Sequence, residues 1–359
     1  MTKLKVADIF CGAGGLSYGF SHSNHFDIVF ANDIDADATK SYQLNHQGVA
    51  ILNSDIAQLD KNTLKPYQNI DILLGGPPCQ SYSTLGKRKM DDRANLFREY
   101  LRVLGILNPK MFIFENVRGL LSMQNGQLFP FICEEFKKLG YFINYQVLNA
   151  VHFGVPQIRD RVILVGTKNN KKFNYPKATH ADNDLLSENK QIVSIKDALD
   201  DLPVIQSGEN GNNKGFRFSA NNDFLRFVRK TEQLSEHISP KNNPNLIKIM
   251  QTLKDGESKD DLPLEIRPKS GYTNTYAKMW WDKPAPTVTR NFATPSSSRC
   301  IHPRDSRALT VREGARLQSF PDDYIFYGSD QSKRLQIGNA VPPLLSIAIA
   351  QSTKQYFGV

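Results

Sequence analysis

Short apolar runs alternate with helix-like patterns along the first half of the chain. The apolar runs that predict strands lie at residues 6–10, 28–31, 70–74, 111–114, 145–148 and 162–165. Helical periodicity is found near residues 35–45, 94–107 and 126–139. Such alternation is typical of strands joined by crossover helices, so the sequence predicts an α/β fold with a largely parallel sheet.

The pattern changes after the last of these runs, where Lys, Asn, Ser and Gly become frequent. Asn-rich stretches at 206–223 and 239–245 predict loops and irregular structure, and a second domain is expected to start near residue 180. A helical pattern returns at 311–318. A final apolar stretch at 341–350 is expected to pack back on the first domain.

Composition narrows the class of protein. The 359 residues, 40% of them hydrophobic, suit one large domain and a smaller one, and the formal charge of +9 weakly favours polyanionic partners. Four widely spaced cysteines fit neither a zinc cluster nor a disulfide scaffold, which predicts a reduced, cytoplasmic compartment. Since neither a signal peptide nor a run of about 18 apolar residues occurs, no membrane association is expected.

A glycine-rich turn follows the first predicted strand. Gly12, Gly14 and Gly15 allow the chain to turn sharply and to approach a nucleotide closely. Asp33 follows Gly12 by 21 positions, the spacing of an acid that holds ribose hydroxyls, and Asp55 ends the third strand, where it could take an adenine amino group. Either carboxylate could instead cap a helix. Because the glycines lack the dinucleotide spacing, S-adenosylmethionine is favoured over a nicotinamide cofactor.

A cysteine follows two prolines just after the strand at 70–74. Pro77 and Pro78 fix the backbone that carries Cys79, and open α/β sheets place their active sites at such strand ends. Most cysteines are small buried hydrophobes, which is our interpretation of the other three. Cys79 differs because the prolines present it in a loop, so it is the candidate nucleophile.

Three charged side chains lie at the ends of further predicted strands. Glu115 ends the strand at 111–114, so neighbouring strand ends are expected to bring its carboxyl and the Cys79 thiol over one pocket. The alternative is that Glu115 caps the next turn. Arg159 and Arg161 share one side of an extended segment. They could hold a phosphate and a carbonyl, or pair with acids on the surface.

Taken in this order, the motifs resemble those of bacterial cytosine-5 DNA methyltransferases of restriction-modification systems. Besides the glycine turn, the matching elements are Pro77-Pro78-Cys79-Gln80, Glu115-Asn116-Val117, Gln157-x-Arg159-x-Arg161, residues 307–321 and residues 336–342. The resemblance covers nearly all of residues 5–167 and 307–350. It implies a Rossmann-like sheet of the S-adenosylmethionine-dependent methyltransferases, with a smaller, irregular target-recognition domain.

The same resemblance implies an organisation and a cofactor. A catalytic and cofactor-binding domain at 1–179 is completed by 330–359, the target-recognition domain spans 180–305, and 306–329 form a hinge or support segment. The cofactor is S-adenosyl-L-methionine, which becomes S-adenosyl-L-homocysteine, and no metal is expected. The residues implied around the cofactor are Phe10, Gly12, Ala13, Gly15, Asp33, Ile34, Asp55, Ile56, Gly76, Pro78, Leu96, Asn339 and Ala340. Asp33 stands where the family usually has glutamate, so a small backbone shift is needed to reach both ribose hydroxyls.

The implied chemistry is covalent. The Cys79 thiolate adds to carbon 6 of cytosine and makes carbon 5 nucleophilic. Protonated Glu115 bonds ring nitrogen 3 and the exocyclic amine, Arg161 contacts the cytosine carbonyl, and Arg159 helps to hold the active-site loops. A stacked cytosine cannot reach the thiol, so the target base must be flipped out of the duplex.

Two basic regions are candidates for DNA contact. The stretch at 80–95 is predicted to be a mobile loop that follows phosphates, although a solvated basic loop is the alternative. Residues 267–304 contain seven Lys or Arg and one acid, interleaved with aromatic residues. Thr287, followed by a valine, resembles the Thr-hydrophobic element of the family's recognition region. The residues predicted to contact DNA are Ser83, Lys87, Arg88, Thr287, Arg290 and Arg299.

Alternatives from other classes remain open at this point. A related enzyme class methylates a cytosine in transfer RNA with almost the same motifs, and some relatives are inactive DNA-binding proteins. A methyltransferase acting on an exocyclic amine would carry an aromatic residue where Cys79 stands. The expected partner is double-stranded DNA, with a cognate restriction endonuclease as a separately acting companion, and a monomer is expected.

Overall fold

The computed structural model describes residues 2–78, 95–182, 189–269, 272 and 274–359. The chain forms two compact units. The first unit comprises Met1–Asn149, Asp160–Lys177 and Leu345–Val359, and the second comprises Ala150–Arg159 and Ala178–Leu344. The functional division of the chain at residues 179, 305 and 329 stays a prediction.

The helices and strands follow one another in the order of an α/β protein and then become short. The strands are β1 (Leu4–Ile9), β2 (Phe26–Asp33), β3 (Ala50–Asn53), β4 (Ile72–Gly75), β5 (Met111–Val117), β6 (Phe142–Asn149), β7 (Asp160–Thr167), β8 (His180–Ala181), β9 (Lys190–Gln191), β10 (Ala277–Lys278) and β11 (Arg299–Ile301). The helices are α1 (Tyr18–Ser21), α2 (Ala36–Asn45), α3 (Lys61–Leu64), α4 (Asn95–Leu107), α5 (Leu128–Lys138), α6 (Ile195–Leu199), α7 (Asp223–Val228), α8 (Pro244–Thr252), α9 (Val311–Leu317), α10 (Asp330–Asn339) and α11 (Pro343–Phe357).

The first unit is built on a seven-stranded sheet with the order β3-β2-β1-β4-β5-β7-β6. Strands β1 to β5 pair in parallel, whereas β7 runs antiparallel to both β5 and β6. The predicted α/β fold is therefore confirmed, and each of the six predicted strands and three predicted helices of this region has its counterpart. The edge strand β3 is the third strand of the chain and ends two residues before Asp55.

The core of the first unit lies between the central strands and the helices α4 and α5. Strand β4 is buried along its whole length, and the first four residues of β5 are buried as well, as expected for strands covered on both faces. Tyr100 of α4 packs edge-to-face on Phe114 of β5 with ring centroids 5.3 Å apart, and on Phe136 of α5 at 5.9 Å. Such aromatic pairs stabilise beyond their buried area. They anchor the end of β5, where the candidate site begins.

The carboxyl-terminal helix belongs to the first unit from Leu345 onward. The backbone amide of Gly19 donates to the Ser346 hydroxyl at 2.8 Å. A Cβ on Gly19 would lie only 2.4 Å from the Ser346 carbonyl carbon, so any larger residue would push the two segments apart. This is the packing that the apolar stretch at 341–350 predicts.

The second unit is irregular between residues 180 and 305, as the Asn-rich composition predicts. Its helices there have five to nine residues, and its strands have two or three. The helical pattern at 311–318 corresponds to α9, which begins after a capping box on Thr310. Within the part of the chain that the structure describes, no helix is long and apolar enough to cross a membrane.

Buried ion pairs surround α9 in the second unit. Arg307 donates to both oxygens of Glu313, at 2.8 and 2.7 Å, and to Asp305 at 2.8 Å. Arg316 donates to both oxygens of Asp322, at 2.9 and 2.7 Å. Removing one partner of such a pair costs about 3–5 kcal/mol because the other charge is left buried. The 307–321 motif therefore supports the fold of this unit.

Candidate active site

The candidate chemical groups lie at one edge of the sheet. Strands β1 to β5 are parallel, so their carboxyl ends meet at that edge, where open α/β sheets bind ligands. Register places Ile9 opposite Gly75, and Gly75 opposite Phe114. Because β7 runs antiparallel to β5, its first residues reach the same edge, and Arg161 lies opposite Val117.

The glycine turn after β1 is bent by residues in the left-handed region. The φ angles are +57° at Phe10, +52° at Gly12 and +93° at Gly14. A positive φ is strained for a phenylalanine, and such strain is commonly kept where a ligand binds. A Cβ on Gly12 would meet no described atom within 4 Å, so the backbone of the turn borders open space.

Asp33 lies directly against this turn. Its Oδ2 accepts a hydrogen bond from the Gly12 amide at 2.8 Å, and its Oδ1 accepts one from the Asp35 amide at 2.9 Å. Burial raises the pKa of Asp33 despite these two bonds. Next to it, the Ile34 side chain is 69% exposed and available to a ligand.

The other implied cofactor residues differ in setting. Asp55 caps the turn that follows it, with its Oδ1 accepting from the Ala57 amide at 2.9 Å, which is the capping alternative raised by the sequence. Ile56 is buried and Leu96 is half-buried on α4. Asn339 and Ala340 lie at the end of α10 in the second unit. The remaining ones, Ala13, Gly15, Gly76 and Pro78, lie on the turns after β1 and β4.

Glu115 and Arg161 form an ion pair at the sheet edge. The Arg161 Nε lies 2.6 Å from the Glu115 Oε1, and the two side chains are 10% and 12% exposed. A Cβ on Gly76 would lie 3.0 Å from the Glu115 Oε2, so the carboxylate packs against the backbone that leads to Cys79. Cys79 itself lies outside the described residues. The structure thus brings Glu115, Arg161 and the start of the Pro-Pro segment together.

Arg159 has a different environment from Arg161. It is 1% exposed and lies in the second unit, where its guanidinium donates to the carbonyls of Val288, Gly338 and Ala340 at 2.8–2.9 Å. These contacts are with backbone atoms of the segments around residues 288 and 340. The loop-holding role that the resemblance implies for Arg159 stays a prediction.

Gln157 and Asn116 belong to the sequence motifs, but the sequence assigns neither of them a function. Gln157 is fully buried, its Oε1 accepts from the Val288 amide at 2.7 Å, and its Nε2 donates to the Leu317 carbonyl at 3.0 Å. Asn116 is 4% exposed and donates from its Nδ2 to the Pro77 carbonyl at 2.9 Å. The available signal for Asn116 was an uncharged polar residue between Glu115 and the last residue of the strand β5.

The candidate DNA-contacting residues divide into three groups. Arg290 is exposed and is free to reach a duplex. Thr287 is exposed too, although its hydroxyl donates to the Ile158 carbonyl at 2.8 Å. Arg299 stacks on Trp280 and donates to the carbonyls of residues 256, 257 and 278, so the structure gives it a packing role. Ser83, Lys87 and Arg88 lie outside the described residues.

A buried carboxyl beneath the glycine turn predicts a pH effect on stability. Burial raises the pKa of Asp8 from 3.8 to about 7, although the Ser17 hydroxyl donates to it at 2.7 Å. Because the pKa of Asp8 is higher in the folded state than in the unfolded state, its contribution to stability is fully present below pH 3.8. This contribution is lost as the pH rises through about 7.

We therefore expect Asp8→Asn to gain stability relative to the unsubstituted protein as the pH rises from about 5.5 to about 8, by up to a few kcal/mol. Denaturant unfolding at the two pH values measures the difference. Any constant cost of the amide cancels in that comparison. An equal effect of the substitution at both pH values would contradict the prediction.

Comparison with known proteins gives a consistent result. The family model described as C-5 cytosine-specific DNA methylase matches residues 4–355. The chain is 34% identical over 378 residues to the Type II methyltransferase M.DdeI of Desulfomicrobium norvegicum, covering 99% of this chain and 89% of the relative. It is 33% identical over 357 residues to the Type II methyltransferase M1.HphI of Haemophilus parahaemolyticus, covering 98% and 86%.

Solved structures share the fold. A crystal structure described as a prophage-encoded DNA modification methyltransferase (E. coli) has a TM-score of 0.78 at 24% identity and covers 99% of this chain and 100% of its own. The S. pombe Dnmt2 methyltransferase has a TM-score of 0.64 at 19% identity, with 99% of both chains covered. The predicted methyltransferase fold is thereby confirmed.

Proposed function

The chain belongs to the C-5 cytosine-specific DNA methylase family and is an S-adenosylmethionine-dependent DNA cytosine-5 methyltransferase, and we propose that Cys79 is its nucleophile. One observation carries this proposal. The buried Glu115–Arg161 pair packs against Gly76, three residues before Cys79, at the edge where the parallel strands end. The acid proposed to bind the base and the described backbone that leads to Cys79 therefore share one corner of the sheet.

The glycine turn fits the cofactor. It offers open backbone at Gly12, which donates a hydrogen bond to the Asp33 carboxylate, and a strained Phe10 two residues earlier. We propose that these residues hold S-adenosylmethionine, with Asp33 at the ribose and Asp55 at the adenine amine. When bound, the cofactor supplies an electrophilic methyl group.

Covalent activation is required because carbon 5 of cytosine is a poor nucleophile. The thiolate of Cys79 adds to carbon 6, and the electron pair of the 5,6 double bond becomes available at carbon 5. After methylation, a water molecule takes the carbon 5 proton, and the electron pair of that C–H bond re-forms the 5,6 double bond. The carbon–sulfur bond breaks at the same time, and its electron pair returns to Cys79 as the thiolate.

Glu115 needs a proton to serve ring nitrogen 3 during the addition. In the structure, its carboxylate forms an ion pair with Arg161. We therefore propose that the proton is acquired as the flipped base enters and Arg161 turns from the carboxylate to the cytosine carbonyl. Arg161 then stabilises the charge that develops on that oxygen.

The second unit is proposed to read the target sequence. Its residues 180–305 are irregular and include the exposed Arg290, whose planar guanidinium suits guanine edges in the major groove. We propose that the enzyme acts on a short site in double-stranded DNA as a monomer, with a cognate restriction endonuclease acting separately. Methyl transfer from labelled cofactor to duplex DNA, compared with transfer RNA, tests the substrate class directly.

A chimera tests where specificity resides. Residues 180–305, placed in a cytosine-5 methyltransferase of different specificity, are expected to transfer the sequence preference of this protein to the host. Bisulfite sequencing of DNA from cells that express the chimera reads the result. If the chimera methylates only the host's own site, specificity lies elsewhere in the chain.

A further inference from the structure

The side-chain amide of Asn116 holds the segment that leads to Cys79. Its Nδ2 donates to the Pro77 carbonyl at 2.9 Å, and its Oδ1 accepts from the Val117 amide at 2.9 Å. Because both ends of the amide have partners, its orientation is defined by the hydrogen bonds. Asn116 is 4% exposed, so water competes little for this bond.

The Pro77-Pro78 segment offers few other attachment points. Neither proline has a backbone N–H, so carbonyl oxygens are its only backbone groups that can form hydrogen bonds. The pairing between β4 and β5 runs from Ile72 to Gly75, which leaves these prolines beyond the last ladder position. The Asn116 bond therefore continues the attachment of this chain to β5 past the end of the sheet.

Two consecutive side chains of β5 contact two consecutive residues of the chain that leads to Cys79. The Glu115 carboxylate packs on Gly76, and the Asn116 amide bonds to Pro77. Each proline also fixes its own φ angle, so few torsions remain between the Pro77 carbonyl and the next residue after Pro78. The backbone that leads to Cys79 is thus held by the same strand that carries Glu115.

We propose that Asn116 is a positioning residue that fixes the Pro77-Pro78 peptide and thereby the approach of the Cys79 thiol to carbon 6 of the target cytosine. This inference rests on the proposed role of Cys79. An error of about 1 Å in a near-attack geometry costs about 100-fold in rate. The loss should appear in the chemical step, since Asn116 does not belong to the residues proposed to hold DNA.

Two substitutions at Asn116 and one control separate positioning from folding. Asn116→Ala removes the donor. Asn116→Asp keeps the shape of the side chain, but an ionised carboxylate has no proton to donate, so two acceptor oxygens face each other at the Pro77 carbonyl. Asn144→Ala is the control, because Asn144 is a half-buried residue of the remote strand β6 whose Oδ1 also accepts a backbone hydrogen bond, from the Phe173 amide at 3.1 Å.

Steady-state and single-turnover methyl transfer are measured on duplex DNA, with the active-site concentration titrated by a 5-fluorocytosine duplex. Asn116→Ala is expected to lower kcat by about 100-fold, with the KM for DNA changed less than about threefold. Asn144→Ala should retain kcat. The Asn116→Asp rate, relative to the unsubstituted enzyme, should recover as the pH falls, since a protonated carboxyl can donate to the Pro77 carbonyl again.

The outcomes are distinguishable. A kcat per active site that is unchanged in Asn116→Ala would overturn the positioning role and leave only a structural one. If Asn116→Ala does not fold, the pH profile of Asn116→Asp decides, and a ratio independent of pH contradicts the proposal. An unsubstituted enzyme that forms no adduct with the 5-fluorocytosine duplex would instead refute the proposed function itself.

Discussion

Replacing Cys79 by serine is expected to abolish methyl transfer while leaving cofactor binding intact. A serine hydroxyl is far less ionised and less nucleophilic than a thiol, so it cannot form the adduct at carbon 6. The loss should exceed about 10³-fold, because the uncatalysed attack of carbon 5 on a methyl donor is the only route left. Titration calorimetry with S-adenosylhomocysteine should give an affinity close to that of the unsubstituted enzyme.

Another cysteine of the first unit provides the matched control. Cys133 is half-buried on α5, and burial raises the pKa of its thiol to about 11, so it stays protonated at neutral pH. Cys133→Ser is expected to keep full activity. Duplex DNA containing 5-fluorocytosine should trap a covalent complex with the control but not with Cys79→Ser. Full turnover by Cys79→Ser would remove Cys79 from the mechanism.

Replacing Glu115 by glutamine is expected to lower the rate of the chemical step by about 10²- to 10⁴-fold with DNA binding retained. An amide can still donate to ring nitrogen 3 and accept from the exocyclic amine, so the base can bind. It cannot transfer a proton, and it cannot form the ion pair with Arg161 seen at 2.6 Å. Single-turnover methyl transfer separates this chemical loss from binding.

Glu134 supplies the control for this substitution. It is an exposed glutamate on α5 whose carboxylate pairs with the Lys137 ammonium of the same helix at 2.7 Å. Glu134→Gln should leave both rate and DNA affinity unchanged. If Glu115→Gln transferred methyl groups at the unsubstituted rate, the carboxyl would have no role in proton transfer.

Much of the fold follows from periodicity in the sequence. Strands such as β4 and β5 are continuous apolar runs because both of their faces are covered, and α4 and α5 present one apolar face each, so both types stand out. The edge strand β3 is only partly buried, and its four residues give a weak pattern. Periodicity does not predict this strand, and only the placement of Asp55 at the end of a third strand implies it.

The candidate site was only partly predictable. Strand order at a common edge predicts that Glu115 lies near Cys79, and the Glu115 carboxylate packs on Gly76 of the described backbone that leads there, whereas the position of the thiol stays a prediction. The ion pair with Arg161 depends on the reversed direction of β7, which no local pattern in the sequence encodes. The packing of Arg299 on Trp280 and the bond from Asn116 to Pro77 likewise depend on tertiary contacts.

The most direct test of the account identifies the methylated atom. Duplex DNA is incubated with the enzyme and methyl-labelled S-adenosylmethionine, digested to nucleosides and resolved by liquid chromatography with mass spectrometry. The account predicts that the label is found in 5-methyldeoxycytidine and that Cys79→Ser yields none. Label in N4-methyldeoxycytidine, or incorporation into transfer RNA but not into duplex DNA, would contradict it.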